Sequence, residues 1–118
     1  MKTVLLIDDS TAVRERLIEM ISTVSHIQIV GQASNGREGV AYFELYDPNL
    51  VILDINMPEI NGIDVLKTIK NTKPETVIIM LTNFPYPQYR DTCMKAGADY
   101  FFDKSNEFEQ VIEVLQSS

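Results

Sequence analysis

Five polar side chains stand at or just beyond the ends of apolar runs in this sequence. Asp8 and Asp9 follow VLLI, Asp54 follows LVIL, Thr82 follows IIML, and Lys104 follows YFFD. Three carboxylates brought to one place repel one another, and a hard divalent cation relieves that repulsion. Oxygen ligands with few protein contacts suit Mg²⁺, which keeps several of its waters. A lysine adds a point positive charge, and a threonine adds a hydroxyl donor. Cation, ammonium and hydroxyl together make a receptor for the three oxygens of a phosphoryl group. In such surroundings one carboxylate can act as nucleophile and form an aspartyl phosphate.

That chemistry exists only if the fold gathers these groups. Short apolar runs alternate with longer amphipathic segments along the whole chain. The short runs are Thr3–Asp8, Ile27–Ala33, Leu50–Asp54, Thr76–Thr82 and Tyr100–Asp103. Three are continuously apolar, the pattern of strands buried on both faces of a parallel sheet. Between them lie helical stripes: Val13, Leu17, Met20, Ile21 and Val24 in one, Phe108, Val111, Ile112 and Leu115 in another. Asn35 with Glu38, and Asn106 with Glu109, have the spacing of capping boxes. Pro87 suits the first turn of a helix that Gly97 would close. Five β-α units predict an open parallel sheet with helices on both faces, in a single domain. Ligands of such sheets bind beyond the carboxyl ends of the strands. Four of the five runs deliver a charged or hydroxyl group to that edge, and the second, ending near Ala33-Ser34, delivers no charge.

Each group taken alone has an ordinary explanation. Asp8 and Asp9 suit the start of a helix. Thr82 is a good strand residue, and a lone lysine is usually a solvated charge. Asp54 is harder to explain away, because it closes a buried strand and no helix begins there. The joint pattern favours a site. His26 falls between the first helix and the second strand and reads as an exposed loop residue. Cys93 and Met94 read as core or flank of a helix.

Composition narrows the field. The chain has 118 residues, 45% hydrophobic and 23% charged, as expected of one globular domain. One cysteine and one histidine rule out a disulfide framework and a zinc centre built from His and Cys. A net charge of −7 opposes direct binding to a nucleic-acid backbone. No apolar stretch approaches the ~20 residues of a membrane span. No signal segment precedes Asp8, so the chain reads as cytoplasmic.

The residues also carry a family resemblance. VLLIDDS, LVILDINMPEINGIDVLKTIK, IIMLTN and GADYFFDKS occur in the order and spacing of the receiver domain of two-component response regulators. The most telling piece is Asp54-x-x-Met57-Pro58-x-x-x-Gly62. The resemblance runs from about Lys2 to Leu115 and implies one receiver domain over residues 1–118. It implies a flavodoxin-like, doubly wound α/β fold of five parallel strands in the order 2-1-3-4-5 with five helices, an order also known for the flavodoxin-like class generally.

By the same resemblance Asp54 is the phosphoacceptor. Asp9 binds Mg²⁺ directly, Asp8 mainly through water, and the backbone carbonyl of Asn56 is a further ligand. Lys104 pairs with the phosphoacceptor carboxylate and then with the phosphoryl oxygens. Thr82 hydrogen-bonds the phosphoryl group, and Phe101 is the aromatic switch that turns inward when Thr82 moves. The implied function is a signalling switch phosphorylated by a sensor histidine kinase. The domain catalyses its own phosphorylation and dephosphorylation and is not otherwise a conventional enzyme. A downstream effector or fused output domain would read it, and a homodimer through the output face is compatible. No output segment follows Ser118, which fits a stand-alone regulator or a receiver of a longer one.

Two departures stand out: Ser105 where proline is usual, leaving the isomer of the Lys104–Ser105 bond open, and Asn83 where a small residue is usual. The stretch Phe84-Pro85-Tyr86-Pro87-Gln88-Tyr89 reads either as a stiff packed loop or as a preformed partner surface. Three rivals remain. A phosphatase or phosphotransferase would want an Asp-x-Asp pair, which is missing. A flavin or nucleotide module would want a phosphate loop where DDSTAVRER puts two acids. A pseudo-receiver would bind partners without phosphorylation.

Overall fold

The computed structural model describes all 118 residues. Five strands alternate with five helices: β1 (Lys2–Ile7), α1 (Thr11–Ile21), β2 (Ile27–Ala33), α2 (Gly36–Tyr46), β3 (Leu50–Leu53), α3 (Gly62–Thr72), β4 (Val77–Thr82), α4 (Pro87–Lys95), β5 (Tyr100–Asp103) and α5 (Gln110–Gln116). The strands form one parallel sheet in the order β2-β1-β3-β4-β5.

The continuous apolar runs split by strand periodicity between two cores. Leu5, Ile7, Val51, Leu53, Ile78 and Met80 face one side, where Phe43 of α2, Val65, Leu66 and Ile69 of α3 and Cys93 of α4 pack. Val4, Leu6, Leu50, Ile52, Ile79 and Leu81 face the other, against Leu17 and Ile21 of α1 and Val111 and Leu115 of α5. The central strands are thus sealed on both faces, and their only polar outlets are their ends. No helix is long and apolar enough to cross a membrane.

Local signals explain most boundaries. Ser10, Asn35 and Asn61 cap α1, α2 and α3 by accepting the amides of Val13, Glu38 and Asp64. Pro87 is at the first turn of α4. Beyond its C-cap Ala96 the chain turns at Gly97, whose φ is +106°, and the amides of Ala98 and Gly97 bond back to the carbonyls of Cys93 and Met94.

Three expectations need correction. The Glu38 carboxylate reaches the amide and hydroxyl of Ser34, not the amide of Asn35. Asn106 and Glu109 form no capping box. Helix α5 starts at Gln110, and the Asn106 side chain instead donates to Asp103. His26 is half-buried, and its Nε2 lies 3.0 Å from the carbonyl oxygen of Leu115 at the end of α5. Val24 and Phe108 fall just outside their helices, yet both are buried in the α1–α5 core.

Candidate functional site

The parallel ladders continue one residue past the strands, and these extra bonds fix the site. The amide of Asp8 donates to Ala33 O, at the end of β2, at 3.0 Å. The amide of Asp54 donates to Ile7 O of β1 at 3.0 Å, and that of Lys104 to Thr82 O of β4 at 2.8 Å. Each side chain therefore springs from a backbone held by the adjoining strand. Because β1 and β3 are neighbours, Asp8, Asp9 and Asp54 come together, with carboxylate oxygens all within 4.8 Å of one another. Asp8 and Asp54 are buried, while Asp9 is exposed.

Lys104, only 8% exposed, closes the site from β5. Its Nζ is 2.8 Å from Asp8 Oδ2 and 3.5 Å from Asp54 Oδ2. The sequence led to a pairing of Lys104 with Asp54, but the closer partner is Asp8. The remaining oxygens are also held. Asp8 Oδ1 accepts the Ser10 amide and Asp54 Oδ1 accepts the Ile55 amide, both at 2.8 Å. Burial pushes the Asp54 carboxyl up to about 7, and the Asp8 charge pushes in the same direction. The Lys104 charge and the Ile55 N–H oppose this without cancelling it. A buried carboxyl so raised, with two further carboxylates alongside, is a centre short of positive charge. A hard cation with oxygen ligands fits that donor set.

Thr82 is fully buried, and its Oγ1 accepts the Phe84 amide at 2.9 Å. Asn83 is exposed. Asn56 is exposed on the loop after β3. Phe101 lies inward, 3% exposed, in the core with Met80 and Cys93. Arg90 donates to its carbonyl, with the guanidinium carbon 5.6 Å from the centre of the Phe101 ring. The 84–89 stretch is not packed away. Phe84 and Tyr86 are 41% and 50% exposed, and Tyr86 lies between Phe84 and Tyr89 at centroid distances of 6.2 and 5.8 Å. The Lys104–Ser105 bond is trans.

Three residues that hold the site were given no role there from sequence. Arg14 hydrogen-bonds the carbonyl of Asp8 and, at 3.2 Å, the side chain of Gln32, tying α1 and β2 to the acidic pair. Gly62 packs against the Asp54 backbone, and its amide donates to Ile55 O at 2.7 Å. Asp103 organises the turn after β5. Only Gly62 left a signal, through its fixed distance from Asp54 in the quoted motif.

A family model, described as the response regulator receiver domain, matches residues 4–116. The chain belongs to this family. It is 34% identical over 116 residues to the nitrate/nitrite response regulator protein NarL of Escherichia coli, covering 98% of this receiver and 54% of NarL. It is 35% identical over 114 residues to the chemotaxis protein CheY of Thermotoga maritima, covering 97% and 94% of the two chains. Among solved structures, the T. maritima response regulator TrrA, in complex with Mg(2+)-BeF, aligns with a TM-score of 0.85 and 35% identity over 99% of this chain and 98% of that one. The response regulator domain of T. maritima CheB aligns with a TM-score of 0.88 and 30% identity, over 99% and 92%. The receiver thus spans about half the length of NarL and nearly all of CheY. The sheet order and the five helices are those of the receiver fold.

Proposed function

We propose that residues 1–118 form one receiver domain acting as a phosphorylation-controlled switch of a two-component system, with Asp54 as phosphoacceptor. The observation that carries this reading is the Lys104 ammonium lodged between the buried carboxylates of Asp8 and Asp54. An Asp54 carboxylate oxygen attacks phosphorus of a phosphohistidine on a sensor histidine kinase, or of a small acyl phosphate. A P–O bond forms as the bond to the donor breaks, and the donor leaves with the electron pair. Lys104 neutralises the phosphoryl oxygens, and Thr82 turns its hydroxyl toward them.

Asp8, Asp9, Asp54 and the Asn56 carbonyl would hold Mg²⁺, which when bound supplies charge neutralisation to the phosphoryl group. The likeness to TrrA, solved with Mg(2+)-BeF, supports that assignment. The phosphoryl group itself carries a new charge of roughly −2. It shifts a two-state equilibrium only by preferring one state. Moving the Thr82 hydroxyl releases the Phe84 amide, so the exposed aromatic 84–89 stretch belongs to the face that partners read, and Phe101, buried in the core, is the switch residue that responds. A cytoplasmic histidine kinase upstream, and an effector or fused output domain downstream, complete the reading. Homodimerisation through the same face is consistent with it.

The test is incubation with acetyl phosphate and Mg²⁺, followed by intact mass. One base-labile phosphoryl adduct is expected, absent in Asp54→Asn and nearly abolished without Mg²⁺ or in Asp9→Ala. An equal adduct in Asp54→Asn overturns the site, and no adduct in the wild type favours a partner-binding domain that works without phosphorylation.

A further inference from the structure

Lys104 must hold a charged tip among acids while the chain leaves the sheet, and a proline would ordinarily stiffen that exit. Here the next residue is Ser105, so the stiffness has another source. Asp103, the last residue of β5 and 8% exposed, supplies it. Its Oδ1 accepts the Ser105 amide at 3.0 Å, and its Oδ2 accepts the Asn106 side-chain amide at 2.9 Å. Its own amide donates to Glu107 Oε1 at 3.1 Å, and its carbonyl accepts the Glu107 amide at 2.8 Å. Both peptide groups flanking Lys104 are thereby tied: the one before it to Thr82 O, the one after it to the Asp103 carboxylate. The carboxylate makes no contact with Lys104 Nζ, whose ion pairs are with Asp8 and Asp54.

We propose that Asp103 is a positioning residue for phosphoryl transfer, its carboxylate clasping the Ser105–Asn106 turn so that Lys104 stays between Asp8 and Asp54. This rests on the reading of Asp54 as phosphoacceptor. Misplacing a catalytic group by ~1 Å can cost on the order of 10²-fold in rate, so a loosened turn is detectable.

The experiment measures the rate of adduct formation from acetyl phosphate at saturating Mg²⁺ for Asp103→Ala, Asp103→Asn and Asn106→Ala, each in wild-type and Lys104→Ala backgrounds. Asp103→Ala is expected to slow the wild type ~10-fold or more, and Asp103→Asn less, since its amide oxygen still accepts from Ser105. In the Lys104→Ala background the same changes are expected to cost nothing further, because the residue they act through is gone. Equal losses in both backgrounds overturn the proposal. Asn106→Ala changes an exposed residue, so it keeps the test available if Asp103→Ala fails to fold. A crystal structure of the folded variant gives an answer independent of activity: Lys104 Nζ withdrawn from Asp8 supports the clasp, and an unmoved Nζ overturns it. A wild type that forms no adduct sinks the phosphoacceptor reading instead, while the structure still judges the clasp.

Discussion

A Cβ on residue 62 would fall 1.7 Å from the carbonyl oxygen of Asp54. Nothing but glycine lets the start of α3 lie on the backbone of Asp54, and that contact explains the spacing between the two residues. Gly62→Ala is therefore expected to destabilise the domain by ~3 kcal/mol or more, at the upper end for overpacking, since the clash is with backbone. Gly31→Ala is the control, because its new methyl would meet only side chains, the nearest at 3.2 Å. Urea unfolding of the two variants should separate them clearly, and a Gly62→Ala protein as stable as the wild type would contradict the close approach.

Removing the Lys104 ammonium leaves Asp8 and Asp54 facing each other unneutralised. Lys104→Met is expected to slow adduct formation from acetyl phosphate on the order of 10²-fold, the loss typical of one preorganised charge-stabilising donor. The Asp54 carboxyl should also rise above about 7, because the cation that opposes the rise is gone. Carbon-detected NMR of the carboxyl group measures that shift directly.

The raised Asp54 carboxyl makes stability depend on pH in a definite direction. Its folded pKa of about 7 lies above the ordinary 3.8, so the folded state binds the proton more tightly than the unfolded one. The associated stability is complete below about pH 4 and is lost as pH rises through about 7. With EDTA present, the wild type should lose on the order of 2–4 kcal/mol of this contribution across that window. Asp54→Asn should flatten the dependence. Added Mg²⁺ should restore the wild type above pH 7 and leave Asp54→Asn much less affected. Thermal unfolding at several pH values, with and without the metal, checks all three statements.

Thr82→Val keeps the shape of the buried side chain and deletes the oxygen that accepts the Phe84 amide. A cost of about 1–2 kcal/mol is expected from the lost bond and the unpaired donor. Amide hydrogen exchange at Phe84 should quicken by ~5- to 30-fold, matching that cost. Unchanged protection at Phe84 would mean that the threonine does not hold the aromatic stretch.

The sheet was legible in sequence because its strands are buried on both faces. Runs such as LVIL and VIIML have no polar side to confuse with a helix stripe. The acids were legible because each stands where such a run stops. Pro87 and Gly97 marked α4 because each acts on its own backbone. What could not be read were bonds between residues far apart in sequence or in competition locally. His26 meets Leu115 across 89 residues, so no local pattern announces it. Asn106 has the spacing of a helix cap, but Asp103 offers its side chain a charged acceptor first. Strand order needed the family resemblance, because alternation alone does not say that β1 lies between β2 and β3. The partition of Lys104 between two acids depends on tenths of an ångström.

Three of the four ionic groups of the site hang from ladder bonds between different strands: Asp8 from β2, Asp54 from β1, Lys104 from β4. A chain still emerging from the ribosome, or one that has lost β5, has no such constellation to offer. On the proposed role of Asp54, only a finished sheet can be charged, so a signal passed through this aspartate also certifies that its carrier has folded.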